Sequence, residues 1–315
     1  MPIIHPPLDD PGQRIPTEPA HVNDEQLARA EAMIAACILR RDVADLRVLG
    51  FGEISVALGW PSADPTMVLK RMAVYREPSD AERDVRLVRD YVAALEAAGV
   101  DVLPTTCHVV PRADGRWVNY AVQPIVPPDL LAETTIARDT PHPEHPLLLA
   151  IRDLTVELVS PQLSADMQVT NFAWDGERLA LLDITTPLLF DEQGGLPQVS
   201  PEVMAAVPLP ARRAVLKEAF KIIERYQDRS ETLALVVLLL YRIGQERWVP
   251  AAAECFNEVL GAPLDLPAIE AEFVRYNKTI PTLNRAAMVQ RWWTQRIRRN
   301  SYDFFITDSF TGRVL

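Results

Sequence analysis

The chain has 315 residues, is 48% hydrophobic and carries a formal net charge of −11. That length suits one large domain or two lobes, and the acidic balance argues against broad nucleic-acid binding through phosphates. Cys37, Cys107 and Cys255 lie far apart and in no C-x-x-C pair, which fits reduced cytoplasmic thiols and gives neither a disulfide framework nor a zinc site. No apolar run is long enough to span a bilayer, and the start, with Asp9-Asp10, does not read as a signal peptide.

Residues 1–22 are proline-rich and lack apolar periodicity, so they are expected to form a mobile tail or an extended arm on the surface. Asn23 reads as the cap of a helix whose apolar side is Leu27, Ala30, Ile34, Cys37 and Ile38. Leu46 to Leu58 reads as two strands around a tight turn at Gly50-Phe51-Gly52-Glu53. Glycines there let a backbone approach a ligand and present N–H groups to phosphate. Alone, the pattern reads as a plain hairpin. Met67 to Met72 is an apolar strand in which Lys70 must keep its ammonium paired or wet, with Arg71 a competing buried cation.

A helix is expected from about Ser79 to Ala98, opened by the capping-box pattern Ser79-Asp80-Ala81-Glu82. Ala81, Val85, Val88, Tyr91, Val92 and Leu95 form its apolar stripe. Asp84 falls inside that stripe and Glu82 at its edge. A carboxylate on a buried stripe needs a partner, and Lys70 is the obvious one. Strands are expected at Thr106 to Pro111 and Trp117 to Val126, around the turn Ala113-Asp114-Gly115. Residues 129–146 read as irregular, with His142-Pro143-Glu144-His145 a surface loop in preference to a metal patch. Leu147 to Val159 is an amphipathic helix.

The stretch Ser160 to Pro187 carries the chemistry. Asp166 precedes Asn171, a strand at Phe172-Ala173-Trp174, the turn Asp175-Gly176, a second strand at Leu179 to Leu182, and then Asp183. Such a hairpin returns the chain, so Asn171 and Asp183 can meet at one end. Two carboxylates and an amide oxygen can hold a hard cation such as Mg²⁺, or one carboxylate can take a proton from an attacking hydroxyl. These are the parts of a phosphoryl-transfer site. Phe190 to Pro210 reads as a loop. Helices are expected at about 211–227, 230–243, 248–259, 266–276 and 282–299. The last carries Arg285, Arg291, Arg296, Arg298 and Arg299 with Trp292-Trp293. Its tryptophans are expected to pack on the core; the alternative is docking to an acidic partner or a membrane surface.

Taken together, the stretch resembles the catalytic loop and metal segment of the protein-kinase-like fold, and most closely the aminoglycoside phosphotransferase and choline kinase branch. There an H-x-D-x-x-x-x-N loop precedes a short hairpin and an I-D segment. Ser164 stands where that family has His, and Ile184-Thr185 come after Asp183 where protein kinases have Phe-Gly. The resemblance covers about residues 46–187. It implies an α+β fold of two lobes: a nucleotide-binding lobe at 23–126, with a small antiparallel sheet and one main helix, and a mostly helical catalytic lobe at 127–315.

The resemblance also implies roles. Gly50, Gly52 and Ser55 would cover the phosphates of ATP. Lys70 would neutralise them, oriented by Asp84 or by Glu82, the acid type the family favours. The connection between lobes would contact adenine through Gln123 or Val126, since Pro124 has no N–H. Asn171 and Asp183 would hold Mg²⁺, and Asp166 would accept the acceptor's proton. The expected reaction is transfer of a γ-phosphoryl group to a hydroxyl of a small molecule or of a peptide Ser or Thr. The alternative, suggested by Ser164 and the missing Gly, is a pseudokinase that binds nucleotide or a protein partner.

Overall fold

Asn23 caps the first helix as its sequence predicts. Its side-chain oxygen accepts from the Gln26 N–H at 2.9 Å and the Gln26 side chain returns the bond at 3.0 Å, opening α1 at Asp24–Arg40. A computed structural model describes residues 14–51, 56–192, 195, 220–297, 299 and 302–303. Over these the protein is mixed α and β, with a small antiparallel sheet and many helices.

The sheet comprises β1 (Arg47–Phe51), β2 (Val56–Trp60), β3 (Met67–Tyr75), β4 (Thr106–Pro111) and β5 (Trp117–Pro124), in the order β1-β2-β3-β5-β4. The β1–β2 register slips between Val48 and Gly50, leaving Leu49 as the extra, unpaired residue of β1. Gly52 and Glu53 of the expected turn, and Ser55, lie outside the described residues.

Successive side chains of a strand point to opposite faces of its sheet. Met67 and Leu69 face α1, where they pack with Leu27, Ala30 and Ile34. Arg71 shares that face and pairs with Glu31 of α1. Lys70 therefore points to the opposite face.

Helix α2 spans Pro78–Ala97 and buries Ala81, Val85, Val88, Tyr91 and Leu95 of the predicted stripe, with Val92 half-buried. The predicted capping box is absent. Glu77 is the N-cap without a side-chain cap bond, because Pro78 suits the first helical position and draws Ser79 inside.

Residues 129–146 are not irregular as expected. A 3₁₀ turn at Pro128–Leu130 leads into α3, Ala132–Arg138, whose Ala132 and Ile136 are fully buried. Leu131 supplies no side-chain cap, so this short helix has no start signal in the sequence and rests on packing. His145 is no surface residue either. It is 6% exposed, caps α4 (Pro146–Leu158) by accepting from the Leu147 N–H at 3.3 Å, and meets the Trp248 ring edge-on at 5.0 Å. Among the described residues no group of three His, Cys, Asp or Glu could hold a metal ion.

The predicted hairpin is present as β6 (Phe172–Trp174) and β7 (Leu179–Leu181), turning through Gly176 at φ 100°. The arm before α1 lies along it. Ile15, 2% exposed, clusters with Ala173 and Ala180, and its carbonyl accepts from Arg178 at 3.1 Å.

Most of 190–219 lies outside the described residues, with helix resuming at 220–225. The helix Arg229–Arg242 is central to the core: every residue from Thr232 to Leu240 is buried. The helix Val249–Asn257 comes next. The two helices expected at 266–276 and 282–299 are one, Leu266–Arg296, running through Pro281. A proline removes one backbone bond and strains the turn before it, a cost that 31 helical residues outweigh. Trp292 and Trp293 do not pack on the core as expected. They are 53% and 47% exposed, while Arg291 is the residue turned inward.

Candidate functional site

Lys70 leaves β3 toward the end of the β6–β7 hairpin. Its ammonium donates to the Leu182 carbonyl at 2.7 Å and lies 3.5 Å from Asp183 Oδ1. From β5, Gln123 Nε2 donates to the same carbonyl at 2.8 Å and to Thr105 Oγ1 at 2.8 Å. Asp183 Oδ1 also accepts from the Thr185 N–H at 3.0 Å and hydroxyl at 2.7 Å. Burial pushes the Asp183 carboxyl up, but the Lys70 charge and the two Thr185 bonds outweigh it and hold the group below the usual carboxylate range.

Asn171 sits where the hairpin closes. Its carbonyl accepts from the Leu182 N–H at 2.8 Å, and its side-chain NH₂ donates to the Asp166 carbonyl at 3.2 Å. The hairpin thus brings Asn171 beside Leu182, the residue before Asp183. The Asp166 carboxylate accepts from Gln168 through its N–H at 3.3 Å and its side-chain Nε2 at 3.0 Å; Gln168 also reaches the Tyr226 hydroxyl at 3.3 Å. Burial is the largest influence on Asp166. Bonds from Tyr226, Gln168 and Asn171 oppose it, the Asp183 charge adds to it, and the carboxyl is raised to about 6.

Tyr91 joins α2 to this loop. It is buried and donates to the Ser164 carbonyl at 2.9 Å. Burial raises its hydroxyl well above the ordinary tyrosine value, and the charges of Asp166 and Asp183 raise it further. The Ser164 backbone N–H donates to the Leu188 carbonyl at 3.0 Å, while its buried side-chain oxygen has no hydrogen-bond partner among the described residues.

The expected pairing of Lys70 with an acid of α2 is not formed. Asp84 accepts from the Tyr75 hydroxyl, and Glu82 is exposed, 3.9 Å from Arg86. The cause is geometric: Lys70 reaches past α2 to Leu182 and Asp183. Gly50 lies within β1 with open space where a Cβ would stand, so no neighbour among the described residues requires a glycine there. Gln123 is 2% exposed, and its side chain braces Leu182. Val126 is half-buried beside Leu103 and Leu130.

Sequence reasoning missed Gln168, Thr185, Tyr226 and the polar role of Tyr91. The first two sit two residues after an Asp, a spacing that side-chain-to-backbone turns use, so they left a local signal. Tyr226 left none, and Tyr91 shows in the sequence only as part of an apolar stripe.

Chemically, the arrangement sets a cation beside two carboxylates and an amide. Oxygen donors of the Asp166, Asn171 and Asp183 type suit a hard divalent ion, and an ammonium facing them suits phosphate oxygens. No curated protein matches the chain. A solved structure described as "WaaP in complex with acyl carrier protein" is similar at 13% identity, over 82% of this chain and 98% of that one, with a TM-score of 0.35. A likeness at that score carries no argument about fold or chemistry. The model of the "Family of unknown function (DUF6206)" matches residues 33–298, and the chain belongs to that family.

Proposed function

We propose that this protein is an ATP-dependent phosphotransferase with a two-lobed protein-kinase-like fold, moving the γ-phosphoryl group to a hydroxyl of a small molecule or of a peptide Ser or Thr. The observation that carries the reading is the meeting of Lys70 with Leu182-Asp183, 112 residues along the chain from Lys70 to Leu182, beside a carboxylate raised to about 6.

In this reading Lys70 pairs with phosphate oxygens of ATP. Asp183 and Asn171 would hold Mg²⁺, which would neutralise charge on the phosphates. The acceptor oxygen attacks the γ-phosphorus, its proton passes to the Asp166 carboxylate, and the bond from that phosphorus to the β–γ bridging oxygen breaks to release ADP. Gln123, itself held by Thr105, fixes the Leu182 carbonyl, and so the start of the Asp183 segment. Adenine contacts at Gln123 or Val126 and a phosphate-covering turn at 50–55 belong to the same reading. All three cysteines are buried free thiols, which supports a reducing cytoplasmic setting. Among the described residues no helix is long and apolar enough to cross a membrane.

A second reading, a pseudokinase that binds nucleotide or a protein partner, draws on the unsatisfied Ser164 side chain where the resembling family has a bracing His. The test is an acceptor screen that monitors ADP and phosphorylated product. Turnover that Asp166→Asn abolishes supports transfer. Nucleotide binding without product for any hydroxyl acceptor supports the pseudokinase.

A further inference from the structure

We propose that the C-terminal end of the helix Leu266–Arg296 docks the protein onto an anionic lipid surface. Arg285, Val289, Trp292, Trp293 and Arg296 recur at i, i+4, i+7, i+8 and i+11, so they share one side of the helix. In a globular protein a stripe with that period normally faces the core. Here it faces water: Val289 is 65% exposed, Trp292 53% and Trp293 47%, with both arginines exposed. Ile297, 52% exposed, and the exposed Arg299 continue it. Arg291, 8% exposed, marks the inward side.

Charge selects the partner. Residues 282–300 contain five arginines and no Asp or Glu, in a chain of net charge −11. Arg41, which caps the C-terminus of α1, adds a further cation at this end, bonded to Gln295 at 3.2 Å. Asp303, the next acid along the chain, is already held by Arg112 at 3.2 Å and Arg116 at 2.6 Å. A basic stripe on an acidic protein favours an anionic partner. It disfavours a second copy docked about a two-fold axis, which would set these arginines against each other. Adjacent indoles flanked by guanidinium groups on a convex helix fit a bilayer interface, where rings lie at headgroup level and arginines meet lipid phosphates.

The patch lies at the α1 side of the sheet, where Arg41 bonds Gln295. Beyond the helix, the Asp303 carbonyl accepts from Arg71 at 2.8 Å, on the α1 face of the sheet, whereas Lys70 leaves by the other face. Docking and nucleotide chemistry can therefore fail separately.

The test is co-sedimentation of the full chain with phosphatidylcholine vesicles, with and without phosphatidylglycerol. Partition onto the anionic vesicles is expected, weakening with salt. Arg285→Gln/Arg296→Gln should reduce it about twenty-five-fold, since each basic residue near such a surface contributes about fivefold. Trp292→Ala/Trp293→Ala should reduce it at least as far while lowering the unfolding midpoint only slightly, because about half of each side chain's surface is in water. The proposal is overturned by no partition onto anionic vesicles, by equal partition onto neutral ones, by retention in both double variants, or by a concentration-dependent dimer that the tryptophan pair abolishes.

Discussion

Lys70 and Asp183 face each other at 3.5 Å, and the same ammonium donates at 2.7 Å to the carbonyl of Leu182. One cation thus ties β3 of the sheet to the segment just after the β6–β7 hairpin. Lys70→Met leaves the half-buried Asp183 carboxylate without its cation, so it should cost stability and let the Asp183 carboxyl titrate higher; an unfolding scan first establishes that the variant is folded at the assay temperature. Nucleotide affinity should fall by tenfold or more. Calorimetric titration of ATP into the variant checks this, and unchanged affinity removes Lys70 from the site.

Asp166 gives a prediction of opposite sign for stability and for activity. Its folded-state value of about 6 lies above that of an unfolded aspartate, about 4. Between those values the native state binds more protons than the unfolded state, so stability falls as pH rises through that window. Turnover should rise through the same window as the base ionises. Asp166→Asn should flatten the stability slope, raise the unfolding midpoint at pH 8 and lower turnover by orders of magnitude. A variant with full turnover excludes Asp166 as the base.

The Tyr91 hydroxyl bond to Ser164 links α2 to the loop that carries Asp166. Tyr91→Phe keeps the packing and deletes that bond, at about 1 kcal/mol. If the bond positions the loop, kcat should drop several-fold with KM for ATP little changed. Equal loss in both would assign Tyr91 to the core alone.

Glu31 is the buried hub on the far face. It accepts from Arg71 at 2.8 and 3.0 Å, from the Tyr120 hydroxyl at 2.5 Å, and from Arg112. Glu31→Gln removes the charge that compensates the buried Arg71 guanidinium. The expected loss is about 3 kcal/mol, read by urea unfolding. A loss below about 0.5 kcal/mol would show that Arg71 finds compensation elsewhere, with Asp303 the first place to look.

Much of this is legible in the sequence where local chemistry and period agree. The Asn23 cap, the α2 stripe and the Asp175-Gly176 hairpin each derive from residue type and spacing, and the hairpin delivers Asn171 to Leu182. Long-range polar choices are not legible. Nothing in the neighbourhood of Lys70 says that it passes over Asp84 for Leu182 and Asp183, since that depends on how β3 and the hairpin stack. Short α3 lacks a cap signal, and Pro281 reads as a break because the sequence does not display the packing that carries the helix across it. Trp292 and Trp293 mislead for the opposite reason: residue type argues for burial, and exposure cannot be read from hydrophobicity alone.

The most direct measurement is the unfolding midpoint of the full chain with ATP, alone and with Mg²⁺, beside Asp183→Asn. Ligand that binds only the folded state raises the midpoint by mass action. The account predicts a clear rise with ATP and Mg²⁺ together, a smaller one with ATP alone, and loss of the Mg²⁺-dependent part in Asp183→Asn. No rise at millimolar nucleotide, or the same rise in the variant, would contradict a nucleotide site built on Lys70, Asn171 and Asp183.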